Sequence, residues 1–125
     1  MKREFTEVSK QVIGCAIEVH RELGPGLLES TYQQCLGYEL KMSGLEFQIE
    51  HPLPVNYKGL KLDCGYRVDL LVENEIILEL KAVDQLKPIH EAQLIAYLKL
   101  AGIQQGLLIN FNMPVLKDGL KSLVV

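Results

Sequence analysis

The sequence lacks a Cys-x-x-Cys pair. Its three cysteines, Cys15, Cys35 and Cys64, are odd in number and widely spaced. A disulfide framework needs cysteines in pairs, and a zinc site needs them clustered, so both count as poor explanations of this chain. Cys15 and Cys35 fall inside helix-like apolar patterns and read as reduced core thiols. Long apolar runs are missing too. No stretch approaches the length of a membrane span, and the opening residues MKREFTEVSKQ have no apolar segment of the signal-peptide kind. Repeats and low-complexity tracts are absent. The expectation is a soluble, cytoplasmic protein with no membrane partner.

A basic excess is also lacking. Thirteen Lys and Arg face sixteen Asp and Glu, a net charge of -3. A domain held to nucleic acid mainly through phosphates is usually basic. The balance therefore weighs against a strong stand-alone nucleic-acid binder, while leaving room for a small basic rim around an acidic, metal-loaded site. The Gly-Pro-Gly at 24–26 lacks the GxGxxG spacing and follows a helix rather than a strand, so it is no phosphate cradle.

What is present is ordinary globular material. The 125 residues are 48% hydrophobic and 23% charged, enough for one domain spanning 1–125 with a working core. Phe5, Val8, Val12, Ile13, Ala16, Ile17 and Leu23 recur at helical spacing, up to the stop at Gly-Pro-Gly. Leu28, Tyr32, Cys35, Leu36 and Leu40 share a face of a second helix that ends near Gly44. The two form an N-terminal helical pair. The period then changes. Val, Ile, Leu and Tyr cut by turn signals predict strands near 45–51, 54–58, 60–65, 66–73 and 75–81, with 60–73 open to being continuous. Pro52 and Pro54 favour an edge strand, and "YKG" and "ENE" read as hairpin turns. Helical spacing returns from Pro88 to Gly102. A buried strand "QGLLINF", a turn or short helix, and a last strand "KSLVV" follow. The order predicts a mixed α/β sheet flanked by helices.

The sheet carries a charged constellation. Side chains alternate along a strand. Arg67, Asp69 and Leu71 should share one face, opposite Val68, Leu70 and Val72. Glu75, Ile77, Glu79 and Lys81 should share a face of the next strand. A tight turn at 73–75 then stands Asp69 beside Glu79, with Lys81 one step on. Two carboxylates and a backbone carbonyl suit Mg²⁺, which activates water and neutralises phosphoryl charge. A lysine at that spot can orient the water or stabilise developing charge.

"VDLLVENEIILELK" resembles the (P)D…(D/E)xK signature of the PD-(D/E)XK nuclease superfamily, with Asp69 followed by Glu79-Leu80-Lys81 and Val68 in place of the proline. Gln93 and Tyr97, one helical turn apart, resemble the QxxxY element that some exonuclease-like branches place beside the metal. "GLLESTY", with Gly26, Glu29 and Tyr32, resembles the motif of the GxxExxY family within that superfamily. The resemblance implies a restriction-endonuclease-like fold and hydrolysis of nucleic-acid phosphodiester bonds. It implies Mg²⁺ or Mn²⁺ held by Asp69, Glu79, the Leu80 carbonyl and Glu29, and a site completed by Lys81, Gln93 and Tyr97. With no separate binding module, the substrate would be gripped by this domain, a homo-oligomer or a protein partner.

Each residue also has an ordinary explanation. Asp69, Glu79 and Lys81 can form a solvated ion-pair face. Glu29 suits a helix dipole, Tyr97 a core, and Gln93 a wet helix surface. Arg67 is either a partner for Asp69 or a phosphate contact, and His20 and His90 read as structural. A catalytically silent binding or regulatory module thus stands as the alternative to a nuclease.

Overall fold

The computed structural model describes residues 6–125. Phe5, the first residue of the expected apolar stripe, lies outside the described residues. Helix α1 (Glu7–Leu23) starts where the Thr6 hydroxyl accepts the Ser9 amide at 3.1 Å and ends at Gly24, at φ 67°. Its buried face is Ser9, Val12, Cys15, Ala16 and Val19. Helical spacing also assigns Ile17 and Leu23 to that face, yet both are exposed. Ile17 lies well off the line through 12, 16 and 19, and Leu23 is the last residue of the helix. Helix α2 (Glu29–Met42) buries Tyr32, Leu36, Gly37 and Leu40. Leu28 precedes the first turn and is 74% exposed rather than part of that face.

The strands are β1 (Phe47–Tyr57), β2 (Leu60–Val72), β3 (Ile76–Lys81), β4 (Gln105–Asn110) and β5 (Leu120–Val124), with α3 (Pro88–Ala101) between β3 and β4 and a 3₁₀ turn at Leu116–Gly119. The segments expected at 45–51 and 54–58 fuse into β1, and those at 60–65 and 66–73 into β2. Both hairpin turns fall where predicted, with Lys58, Gly59, Glu73 and Asn74 all at positive φ. The sheet order is β1-β2-β3-β4-β5. Only β3 and β4 are parallel, because α3 carries the chain back across the sheet between them. The result is a mixed α/β sheet with helices on both faces, consistent with the restriction-endonuclease-like fold. Among the described residues, no helix is long and apolar enough to cross a membrane.

Alternation sorts the sheet residues onto two cores. Leu70, Val72, Ile76, Leu78 and Leu80 pack against Val12, Ala16, Tyr32 and Leu36 of the helical pair. Ile77, Leu71 and Leu108 pack against Leu94, Tyr97 and Leu98 of α3. Val68 departs from the expected pattern, since it joins Leu71 under α3 rather than Leu70 and Val72. The pleat is therefore broken around Asp69, opposite Glu50 of β1, which sits at φ 55°.

The β2–β3 pairing runs from Val72↔Ile76 to Leu70↔Leu78 and stops there. Strand β2 continues past that point on β1 alone, as far as Tyr57↔Leu60. The sheet thus forks at Asp69. On one side lies β3 with its helices, and on the other a two-stranded ribbon whose β2 residues 60–67 are all exposed.

Helix α3 sits close to the sheet at Gly106. A Cβ there would lie 2.8 Å from Leu94 Cδ1 and 3.1 Å from its Cγ, and Leu94 is fully buried with nowhere to go. Gly106→Ala should lose about 1–3 kcal/mol by urea unfolding. Adding Leu94→Ala should give a double variant that loses less than the two single losses combined. Strict additivity would mean that Leu94 does not set the spacing.

Candidate functional site

The fork exposes a gap that side chains fill. With β2 peeling away, the Leu80 amide donates to the Asp69 carboxylate, Oδ2, at 2.8 Å. The Asp69 carbonyl accepts from Gln33 Nε2 of α2 at 3.0 Å. Asp69 thereby ties β3 to β2 through its side chain, and α2 to the fork through its backbone.

Glu79 follows Ile77 at the strand period and so faces α3 beside Asp69. It is only 5% exposed, and its Oε1 is buried with no hydrogen-bond partner. Burial, then the neighbouring Asp69 charge, pushes the Glu79 carboxyl up to about 9, with Lys81 pulling weakly the other way. Lys81 Nζ donates to Gln93 Oε1 at 3.4 Å, and Gln93 Nε2 donates to the Tyr97 hydroxyl at 3.1 Å. Residues 93 and 97 are one turn apart on α3, so the helix brings both to the end of β3. Burial, followed by the Glu79 charge, raises the Tyr97 hydroxyl above its usual range.

Glu29, in the first turn of α2, accepts the Ala82 amide at 3.2 Å, just past Lys81. Among the described residues, no three His, Cys, Asp or Glu side chains gather closely enough to hold an ion, so Asp69 and Glu79 form a pair rather than a triad. The rest of the 26–32 segment is scaffolding. Gly26 sits at φ 103°, where only glycine is comfortable. The fully buried Tyr32 donates its hydroxyl to the Gly24 carbonyl at 2.6 Å, accepts the Leu27 amide at 3.2 Å and stacks on Phe111 at 4.4 Å. Arg67 does not pair with Asp69. Its Nη1 reaches the Glu50 carbonyl at 3.5 Å. His20 Nε2 meets the Met113 carbonyl at 2.7 Å, and His90 Nδ1 accepts the Lys87 amide at 2.9 Å, so both histidines have backbone partners.

A family model described as the PD-(D/E)XK nuclease superfamily matches residues 6–123. The chain belongs to the PD-(D/E)XK nuclease superfamily. The crystal structure of SSO0001 is similar at 23% identity, covering 98% of this chain and 67% of that one, with a TM-score of 0.42. That likeness is too loose in shape to add to the assignment. A search of curated proteins finds no match. In PD-(D/E)XK terms, the D…ExK residues Asp69, Glu79 and Lys81 converge at the fork with Gln93 and Tyr97, while Glu29 borders them from the helical pair.

Sequence reasoning misses two residues beside this candidate site. Gln33 stands one turn after Glu29 on α2, and that spacing is its signal. Asn110 ends an apolar run yet is fully buried. It accepts the Val83 amide at 3.1 Å and donates to the Val83 carbonyl at 2.8 Å, holding the chain beyond Lys81.

The raised Glu79 carboxyl has a consequence for stability. In the window between 4.5 and about 9, the folded chain keeps a proton that the unfolded chain has lost. Stability should therefore fall as pH rises through that window, by at most about 1.4 kcal/mol per pH unit from this group. Urea unfolding in EDTA across the window should show the slope, and Glu79→Gln, which keeps the neutral shape, should flatten it. Identical slopes in the two proteins would show that Glu79 ionises freely.

Proposed function

We propose that the chain is a Mg²⁺- or Mn²⁺-dependent nuclease that hydrolyses the phosphodiester bonds of nucleic acid. The observation that carries this is Glu79, a buried carboxylate with one unpartnered oxygen held beside a second carboxylate. Such a group is costly unless it stays protonated or a cation compensates both charges. The donors at hand are hard oxygens, namely Asp69, Glu79 and the Leu80 carbonyl, which fit Mg²⁺ and leave about half of its octahedral shell to water. Glu29 would have to release the Ala82 amide to join them. When bound, the ion supplies charge neutralisation at a phosphate and a water of lowered pKa.

The remaining roles fall to this chain's own side chains. Lys81 offers a positive charge to a phosphate oxygen or orients the attacking water. Gln93 holds the Lys81 ammonium, and the Tyr97 hydroxyl holds Gln93, so the amine is fixed before substrate arrives. Tyr97, raised and neutral, keeps its own proton for another acceptor.

The segment 26–32 supports membership of the GxxExxY group. Its Gly, Glu and Tyr each support the loop and strand end beside Lys81, which explains why that spacing exists. The same reading takes 1–125 as one nuclease domain working in the cytoplasm on nucleic acid, with a second copy or a protein partner adding grip. The net charge of -3 favours the other reading, a catalytically silent binding or regulatory module.

Calorimetry with Mn²⁺, together with a cleavage assay on single-stranded DNA, double-stranded DNA and RNA at low salt, separates the two. Asp69→Ala should lose both metal binding and turnover. Lys81→Ala should keep metal binding and lose about 10²–10³-fold in rate. If the wild type cleaves none of the three with metal present, the module reading replaces the nuclease. If it cleaves and Lys81→Ala cleaves equally well, the lysine assignment falls alone.

A further inference from the structure

The ribbon beyond the fork is covered by α3 only at its root and its β2 residues 60–67 are exposed throughout, yet it is not polar. Leu53 of β1 packs under α3 beside Val68 and Tyr97. Opposite Leu53 stands Tyr66, whose ring lies 6.0 Å from that of Tyr97. Further out, the pairs are Val55↔Leu62 and Tyr57↔Leu60. The register shifts between Leu53 and Val55, where Pro54 stands opposite Asp63, Cys64 and Gly65 of β2. Cross-strand partners on either side share a face, and the extra residues lie on β2, so β1 keeps its period of two through Leu53, Val55 and Tyr57. The side of the ribbon continuous with the catalytic face is therefore an apolar ladder. Tyr66 is 45% exposed, Leu62 38%, Leu60 57% and Tyr57 59%.

The ribbon also differs from the body in charge. Residues 51–67 carry Lys58, Lys61 and Arg67 against Asp63 alone, a net of +2 in a chain of -3, so the remainder carries -5. The arm that begins at the site is thus net basic on an otherwise net acidic chain.

We propose that this arm binds an unpaired stretch of nucleic acid, with Tyr66 as the stacking platform for the base next to the scissile phosphate and Lys58, Lys61 and Arg67 tracking the backbone. The proposal rests on the nuclease reading and adds a substrate class to it. A duplex presents phosphates and groove edges to a protein, whereas an unpaired strand can splay its bases onto aromatic and apolar side chains. Only the second makes use of an apolar ladder. From the Leu53 pair to the Tyr57 pair is about 13 Å of ribbon, a span of a few nucleotides. The inner end decides against a protein occupant. Tyr66 touches Tyr97, Tyr97 holds Gln93, and Gln93 holds Lys81, so a partner seated on the ladder would obstruct the site's entrance.

The chain has no tryptophan, so Tyr66→Trp gives a single reporter at the platform. In EDTA, a single-stranded DNA or RNA oligonucleotide should quench that emission strongly, and the matching duplex should leave it nearly unchanged. Tyr66→Ala should weaken single-strand binding roughly 10- to 100-fold, while Tyr66→Phe should bind as wild type does. Lys58→Ala with Lys61→Ala should lower the salt slope of single-strand binding by about 1.4, at about 0.7 per phosphate contact. If the wild type cleaves nucleic acid but Tyr66→Ala binds single strands undiminished, this proposal is wrong and the nuclease reading stands. The proposal also falls if the tryptophan emission responds only to protein concentration and sedimentation shows a dimer that Tyr66→Ala dissolves, because the arm is then an interface between copies. Equal quenching by duplex and single strand would likewise overturn the stacking platform.

Discussion

The Leu80 amide and the Asp69 carboxylate hold the fork open. In an unbroken ladder, that amide would donate to a β2 carbonyl, and the two strands would run on side by side. Here an acidic side chain takes the bond at 2.8 Å, and the Asp69 carbonyl accepts from Gln33 of α2. Backbone groups that lose a ladder partner must find another when buried, and these two side-chain bonds are what make the divergence tolerable. Three features follow from it. Asp69 and Glu79 meet in a gap rather than on a flat sheet. The end of β3 is free to be held by Glu29 and Asn110. Strand β2 is released to travel outward with β1.

The gap also fixes the electrostatics. Glu79 is buried because α3 covers its face of the sheet, and its Oε1 has no hydrogen-bond partner there. The nearest compensating charge, Lys81, is drawn toward Gln93 instead. The site thus holds its charges in an arrangement that is unfavourable by itself, as is usual where pKa values are displaced for a task. The proton that Glu79 retains up to about 9 offsets part of that cost.

Much of this is legible in the sequence, because its signals are local. Helix stops at Gly24 and Gly102, hairpin turns at Lys58-Gly59 and Glu73-Asn74, and the period-two run through Ile77, Glu79 and Lys81 all depend on neighbours in the chain. So does the one-turn spacing of Gln93 and Tyr97. What is not legible depends on distant contacts. Alternation puts Val68 on the wrong face because it assumes an intact pleat, and the break near Asp69 depends on Glu50 across the sheet. Leu28 looks like a core residue by spacing, yet it lies outside the helix that would have buried it. Gln33 and Asn110 look like any polar residue until the strand ends they hold are in view.

The prolines of β1 bear on something other than chemistry. Strand β1 is the first of the sheet, so one of its sides has no strand beside it. Pro52 and Pro54 lie two apart, so both nitrogens point to the same side. Prolines are tolerated on such an edge strand when their nitrogens face the open side, where no ladder bond is lost. A stranger's strand approaching there would find two consecutive donor positions empty, at the root of the most apolar exposed ribbon in the fold. Self-templated association into extended sheets, the usual hazard of such a ribbon, is discouraged by two missing hydrogens.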